Sequence, residues 1–130
     1  PLCMAMLDLD RFKSVNDEFG HAIGDLVLIL FSNETKLLIR QYDILGRIGG
    51  EEFALCLPGM GLEGGAQAAE RIRAKIAALP HIGGEHPLAL SVSVGITEMQ
   101  EDDRLEGLLK RADDALYRAK ANGRNRVESV

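Results

Sequence analysis

Two glycines followed by two acids stand between two apolar runs in residues 46–55, GRIGGEEFAL. Gly49 and Gly50 can both take positive φ without a Cβ penalty, so the pair predicts the turn of a β-hairpin. Turn chemistry does not require Glu51 and Glu52, because adjacent like charges repel each other. These two acids are therefore either solvated or placed to face a cation.

The hairpin belongs to a regular order of strands and helices. A continuous apolar run that ends at Asp8 predicts a buried first strand, and later segments show helical or alternating periodicity. The predicted elements are a strand at 2–7, a helix at 25–40, hairpin strands at 44–48 and 52–57, a helix at 66–79, a loop at 80–87, a strand at 88–96, a helix at 105–120 and a short strand at 126–129. This order predicts an α+β fold, a ferredoxin-like or palm-type antiparallel sheet with a βαββαβ core and helices packed on the sheet.

Carboxylates converge at one edge of this predicted sheet. In a split βαβ topology the first strand lies beside the third and runs antiparallel to it, so Asp8 comes close to Glu51 and Glu52. Few carboxylate ligands, with other positions left for water and phosphate oxygens, suit Mg²⁺. The alternative is that Asp8 and Asp10 are turn residues at a strand end and the glutamates are solvated.

Three cations accompany these acids. Lys13 follows Asp8 closely, and Lys120 and Arg124 form an i, i+4 pair at the end of the last predicted helix. A carboxylate–metal centre flanked by cations suits phosphoryl transfer, where catalysis is mostly positioning and charge neutralisation. Each of the three is otherwise an ordinary surface charge.

Asn16 and Asp25 are candidates for reading a purine base. A carboxylate accepts hydrogen bonds from the ring N–H and exocyclic amine of guanine, and an amide can serve the other edge atoms. The alternatives are a turn residue for Asn16 and a helix N-cap for Asp25. His21 is equally ambiguous, because a loop histidine is more often structural than chemical.

Composition limits the classes of function. The chain has 130 residues, enough for one domain with a core, and a net charge of −5 argues against broad binding to a nucleic acid polymer. Cys3 and Cys56 lack metal-ligand spacing and are expected to be reduced thiols. With no membrane-spanning stretch and no signal peptide, the domain is expected to be cytoplasmic, although regions outside this sequence could anchor a full-length protein.

Four blocks of sequence, in order, resemble the GGDEF-domain diguanylate cyclases. They are DLDRFKSVNDEFGHAIGD at 8–25, GGEEF at 49–53, SVSVGIT at 91–97 and ADDALYRAKANGRNRV at 112–127. The resemblance implies condensation of two GTP molecules into cyclic di-GMP, with release of two diphosphates, at the interface of a homodimer. It also implies Mg²⁺, with Mn²⁺ as an alternative, as the cofactor.

The resemblance assigns roles residue by residue. Asp8, Glu51 and the backbone carbonyl of Leu9 would hold the metal ion, and Glu52 would add a further acidic group. Glu51 would also be the base for the attacking 3′-hydroxyl. The remaining substrate contacts would come from Asn16, His21, Asp25, Gly49 and Gly50, and the phosphates would be held by Lys13, Lys120 and Arg124.

A second family motif precedes the hairpin. Arg40 and Asp43 fit the RxxD pattern, which in these cyclases is an inhibitory site for the product cyclic di-GMP. Without the family, Arg40 is a basic residue in a favourable place at a helix C-terminus.

The resemblance also implies parts that this sequence does not contain. The family's opening segment, a DxLTxLxNR turn and a first helix, is expected upstream of Pro1, together with a sensor or receiver domain. Residues 1–130 are therefore expected to be a single GGDEF domain that lacks this segment. The alternative function is a catalytically silent receptor for GTP or cyclic di-GMP. The apolar stretch LVLILF at 26–31 raises the question of a partner surface, and we expect packing to hide Ile29 and Leu30.

Overall fold

The computed structural model describes residues 1–81 and 88–130. The predicted loop at 80–87 therefore lies largely outside the described residues. The strands are β1 (Leu2–Leu9), β2 (Ile44–Gly49), β3 (Glu52–Pro58), β4 (Val92–Glu98) and β5 (Val127–Ser129). The helices are α1 (Phe12–Phe19), α2 (His21–Leu38), α3 (Leu62–Ala77) and α4 (Leu105–Ala121).

The strands form one sheet in the order β2-β3-β1-β4-β5. β1 pairs antiparallel with β3 and with β4, and β2 pairs antiparallel with β3, which confirms the predicted α+β topology. The short strand β5 lies outside the predicted βαββαβ core and pairs parallel with β4. The sheet is therefore mixed, since α4 carries the chain back before β5 begins.

Each face of the sheet has its own apolar cluster. Helices α1, α2 and α3 cover one face, and Phe31 packs its ring against Phe53 with centroids 4.8 Å apart. Helix α4 covers the other face against Met4 and Met6. It approaches β4 so closely that a Cβ on Gly95 would collide with the α4 backbone at Ala112 and Leu116. Strand β1 is buried on both faces, and its sequence is continuously apolar from Leu2 to Leu7.

Several element boundaries differ from the prediction. A short helix, α1, occupies a segment that was not predicted to be regular, and α2 begins at His21 rather than at residue 25. Strand β4 begins at Val92, four residues later than predicted. Helix α2 begins at His21 because the N–H of Gly24 already donates to the carbonyl of Gly20 over 3.1 Å.

The predictions for single residues had mixed outcomes. Cys3 and Cys56 are both free thiols, as expected, although only Cys3 is fully buried. Leu30 is partly buried against the core, but Ile29 is 56% exposed, so the expectation that packing hides both was wrong. No helix in the part of the chain that the structure describes is long and apolar enough to cross a membrane.

Candidate active site

The carboxylates predicted to converge do so at the end of β1. Asp8 lies directly opposite Glu52 in the β1–β3 register, and the backbone N–H of Leu9 donates to the carbonyl of Glu51 over 3.2 Å. Asp8 is only 5% exposed. Burial raises the pKa of Asp8, the hydrogen bond from Lys120 opposes that shift, and the charges of Glu51 and Glu52 raise the pKa further. The group is thus a buried carboxylate next to two other acids.

Basic side chains from α1, α4 and the loop after α4 line a pocket with Asp8. The Lys120 Nζ donates to Asp8 Oδ2 over 2.6 Å. A pocket of about 170 Å³ opens beside the pair. It is lined by Asp8, Leu9, Asp10, Arg11, Phe12, Lys13, Glu51, Lys120 and Arg124. Six of the predicted site residues therefore share one pocket, and the pocket carries both signs of charge.

The predicted helical pairing of Lys120 with Arg124 was wrong in its geometry. Helix α4 ends at Ala121, and Arg124 has a left-handed backbone with φ of 64°. The Asn-Gly step after the helix ends it, because Gly123 takes a φ of 122°. Arg124 nevertheless lines the same pocket as Lys120, but from a loop.

The donor set suits a divalent cation with few protein ligands. Among residues 1–81 and 88–130, no three His, Cys, Asp or Glu side chains form a group that could hold a metal ion by themselves. The predicted metal ligands were Asp8, Glu51 and the carbonyl of Leu9, with Glu52 as a further acidic group. Mg²⁺ commonly keeps several waters and phosphate oxygens beside one or two carboxylates. The buried, electrostatically strained Asp8 beside Glu51 is consistent with such a site.

Helices α1 and α2 bring the predicted base-reading residues together. Lys13 and Asn16 are three residues apart on α1 and so share a helix face. The side chain of Asn16 lies against Gly24 of α2, where a Cβ would collide with its Oδ1. Asp25 follows Gly24 and is exposed. Asn16 is thus helical rather than a turn residue, and Asp25 is in the second turn of α2 rather than at its N-cap.

His21 and the glycines lie outside the lining of the pocket. His21 is the first residue of α2 and is exposed. Of the two hairpin glycines only Gly50 has positive φ, at 51°, because the turn is formed by Gly50 and Glu51 between the paired Gly49 and Glu52. A Cβ on either glycine would meet no protein atom within 4 Å. The hairpin end therefore faces open space.

Arg40 and Asp43 form an ion pair outside the lining of this pocket, with the side chain of Arg40 partly exposed and that of Asp43 buried. The Arg40 Nη2 lies 2.7 Å from Asp43 Oδ1, and the Arg40 backbone N–H donates to Asp43 Oδ2 over 2.7 Å. The guanidinium also donates to the carbonyl of Pro58 and lies 4.6 Å from the ring centroid of Tyr42. Burial would raise the pKa of Asp43, but the hydrogen bonds from Arg40 outweigh it and lower that pKa.

Sequence reasoning missed a set of residues that holds the pocket together. Asp10 accepts hydrogen bonds from the hydroxyls of Ser91 and Ser93, each over 2.6 Å, and from the backbone N–H of Asn125 over 3.0 Å. Asp10 is therefore a structural acid that joins β1, the start of β4 and the loop after α4. Ser91 and Ser93 stand at alternate positions around the start of β4, but nothing in the local sequence links them to Asp10.

Comparison with known proteins decides the family. Residues 1–126 match the family described as diguanylate cyclase, GGDEF domain. The chain belongs to the GGDEF family. It is 49% identical over 128 residues to the diguanylate cyclase DgcP of Pseudomonas aeruginosa, an alignment that covers 98% of this chain and 19% of DgcP. The chain thus spans about a fifth of that relative's length.

Solved GGDEF structures have the same fold. The diguanylate cyclase SiaD of Pseudomonas aeruginosa, in complex with its activator SiaC, superimposes with a TM-score of 0.93 at 39% identity, over 99% of this chain and 50% of SiaD. The coiled coil and GGDEF domain of DgcB from Caulobacter crescentus, in complex with c-di-GMP, superimposes with a TM-score of 0.93 at 31% identity, over 99% of this chain and 69% of that crystallised chain. The architecture of this domain is that of the GGDEF diguanylate cyclases.

Proposed function

We propose that this domain condenses two GTP molecules into cyclic di-GMP and two diphosphates, with two copies of the domain facing each other. The observation that carries the proposal is the single pocket in which Asp8 and Glu51 meet Lys13, Lys120 and Arg124. Transfer of a phosphoryl group from a nucleoside triphosphate requires carboxylates that hold a metal ion and nearby cations that neutralise the phosphates. The identity to DgcP over nearly the whole chain supports the choice of reaction.

Asp8, Glu51 and the backbone carbonyl of Leu9 are the groups that would hold Mg²⁺ or Mn²⁺. A bound divalent ion would neutralise phosphate charge and polarise the α-phosphate. Glu52, opposite Asp8 in the sheet, adds negative charge to the same place. Burial, together with the charges of Glu51 and Glu52, raises the pKa of Asp8, and a bound cation would favour the charged carboxylate.

Glu51 is the proposed base for the chemical step. Its carboxylate takes the proton of the 3′-hydroxyl of one GTP as that oxygen bonds to the α-phosphorus of the other. The bond from the α-phosphorus to the bridging oxygen breaks, and diphosphate leaves. The 3′-hydroxyl of the second nucleotide then attacks the α-phosphorus of the first in the same way, which releases the second diphosphate and closes the ring. Lys13, Lys120 and Arg124 offset the negative charge that develops on the phosphates.

Asn16 and Asp25 are the proposed guanine contacts. The Asp25 carboxylate can accept from the ring N–H and the exocyclic amine, while the amide of Asn16 serves another edge atom. The packing of Asn16 on Gly24, the residue before Asp25, supports this pairing. His21 is a further substrate contact in this proposal, and the open space beside Gly49 and Gly50 admits the nucleotide.

Arg40 and Asp43 are the proposed product-inhibition site. Their ion pair, with the side chain of Arg40 partly exposed and that of Asp43 buried, lies outside the pocket lining and next to Tyr42 and Pro58. The DgcB structure contains c-di-GMP, which supports the assignment of this ligand to the family. In the longer protein, a sensor or receiver domain would bring two such domains together.

Replacement of Glu51 by Gln tests the proposal, because it removes one charge at nearly constant shape. We expect Glu51→Gln to abolish formation of cyclic di-GMP from GTP and Mg²⁺ while circular dichroism and the melting temperature stay near those of the parent. Glu101→Gln, at an exposed turn before α4, is the matched control and should keep full activity. Turnover retained by Glu51→Gln would contradict the assigned role. A parent that binds cyclic di-GMP tightly yet forms none would favour the receptor function.

A further inference from the structure

Three consecutive residues after α4 have positive φ. The angles are 122° at Gly123, 64° at Arg124 and 46° at Asn125. This region is unfavourable for residues that carry a Cβ, and a side chain such as that of arginine has no local hydrogen bond to compensate. The hydrogen bond that caps the end of α4 and contacts with other elements must therefore hold Arg124 in the conformation that directs it to the pocket.

The contacts that hold this segment come from three elements. The N–H of Arg124 donates to the carbonyl of Ala119 in α4 over 2.9 Å. The N–H of Asn125 donates to Asp10 at the end of β1. The side-chain oxygen of Asn125 accepts from Nη1 of Arg73 in α3 over 2.9 Å. Of these three contacts, only the one from Arg73 comes from α3.

Arg73 is itself held in a defined orientation. Its Nε and Nη2 donate to the carboxylate of Glu70, one turn earlier on α3, at 2.6–2.9 Å. That ion pair leaves Nη1 directed at Asn125, so the planar guanidinium bridges two partners at once. Lysine cannot reproduce this bridge, because its ammonium is a single point charge.

We propose that Arg73 is a positioning residue for the phosphate site. It acts through Asn125 to keep Arg124 in its left-handed conformation beside Lys120. The proposal rests on the proposed function in one respect, namely that Arg124 contacts the phosphates of GTP. It gives α3, which contributes nothing to the described lining of the pocket, a part in substrate binding.

Binding of a non-hydrolysable GTP analogue with Mg²⁺, measured by calorimetry, tests the proposal. We expect Arg73→Ala and Arg73→Lys each to weaken binding about fivefold, the loss appropriate to one partly exposed charge-assisted hydrogen bond. Asn125→Gly should do the same, because glycine keeps the left-handed backbone and removes only the acceptor. Lys75→Ala is the control, because it also removes one positive charge from α3. Among the described residues, the only ion pair of Lys75 is a 3.9 Å contact with Glu34.

A double-mutant cycle separates positioning from general damage to the fold. Arg73→Ala should weaken binding no further when Arg124 is already alanine, because Arg73 acts only through Arg124. In the parent background, kcat/KM for GTP should fall about fivefold or more, with KM raised and kcat lowered, because Arg124 both holds the phosphates and offsets the charge that develops on them. Unchanged affinity in Arg73→Ala, or an equal loss in the Arg124→Ala background, would overturn the proposal.

Amide hydrogen exchange at Asn125 gives a readout that is independent of turnover. Exchange there should be faster in Arg73→Ala than in Lys75→Ala, and equal rates would count against the inference. A parent that binds the analogue but forms no cyclic di-GMP would contradict the proposed reaction alone. A parent that does not bind the analogue would overturn both.

Discussion

Lys120 and Asp8 form an ion pair with a Nζ–Oδ2 distance of 2.6 Å, although 112 residues separate them in sequence. The pair joins the last turn of α4 to the end of β1. It places a cation against the most buried carboxylate of the pocket, opposite Glu52 in the sheet. The same contact therefore stabilises the fold and forms the centre of the candidate active site.

Replacement of Lys120 by Ala should affect both roles. The buried carboxylate of Asp8 would lose its partner, which lowers the free energy of unfolding. Because the side chain of Lys120 is about one third exposed, we expect this loss to be about 1–2 kcal/mol. Affinity for Mg²⁺–GTP should fall about tenfold or more. Denaturant unfolding and calorimetry measure the two effects. Lys110→Ala breaks only an exposed pair on the same helix and should change stability by less than about 0.5 kcal/mol. Equal effects of the two variants would contradict the account.

Replacement of Gly24 by Ala tests the contact between α1 and α2. A new Cβ would collide with Asn16 Oδ1, so we expect the side chain of Asn16 to move and GTP affinity to fall about tenfold, as for loss of a good hydrogen bond. Helix propensity alone would raise the free energy of unfolding by about 1 kcal/mol, because alanine favours the helix more than glycine does. Gly107→Ala on α4, where a Cβ meets nothing within 4 Å, should show that gain with unchanged affinity. A Gly24→Ala variant that binds GTP as the parent does would show that Asn16 does not contact the base.

Replacement of Arg40 by Ala should relieve inhibition by product. We expect the concentration of cyclic di-GMP that halves the initial rate to rise at least about tenfold, because a charge-assisted contact to phosphate is lost. The uninhibited rate should stay near that of the parent, since Arg40 does not line the pocket. Initial rates at increasing product concentration provide the measurement. Arg104→Ala, which removes another exposed charge, should remain as inhibited as the parent, and the same result for Arg40→Ala would contradict the assignment.

The Arg40–Asp43 pair should also make stability depend on pH. Its hydrogen bonds lower the pKa of Asp43 despite burial. A carboxyl with a lowered pKa stabilises the folded state above its unfolded pKa of about 3.9, and this contribution is lost as the pH falls through the folded pKa. The difference in unfolding free energy between the parent and Asp43→Asn should be full at neutral pH and should shrink below about pH 4. Urea unfolding across this range measures it. A difference independent of pH would contradict the account, and Asp113→Asn, at an exposed position on α4, is the control.

The predicted topology came from periodicity and order, and it placed the acids correctly. The continuous apolar run of β1 and the hairpin around Gly50 are local signals, and together they give the β1–β3 pairing that sets Asp8 opposite Glu52. Helix α1 was missed because its apolar face consists of little more than Phe12, Val15 and Phe19, three residues at i, i+3 and i+7. That spacing was a usable signal within a segment dominated by charges.

The rest of the site depends on contacts between distant parts of the chain. Asp10 bonds Ser91 and Ser93 across more than 80 residues, and no local pattern indicates such a pairing. The direction of Arg124 depends on φ after the end of α4, where the sequence Asn-Gly-Arg-Asn predicts only that the helix stops. Topology can be predicted from a repeating pattern, but these hydrogen bonds follow from how the packed elements meet.

Formation of cyclic di-GMP by the purified domain, over a range of protein concentrations with GTP and Mg²⁺, tests the central claim most directly. The account predicts cyclic di-GMP, with a rate that rises faster than linearly with protein concentration, because two domains must meet to join two nucleotides. A domain that binds GTP yet yields no cyclic di-GMP at any concentration would contradict it.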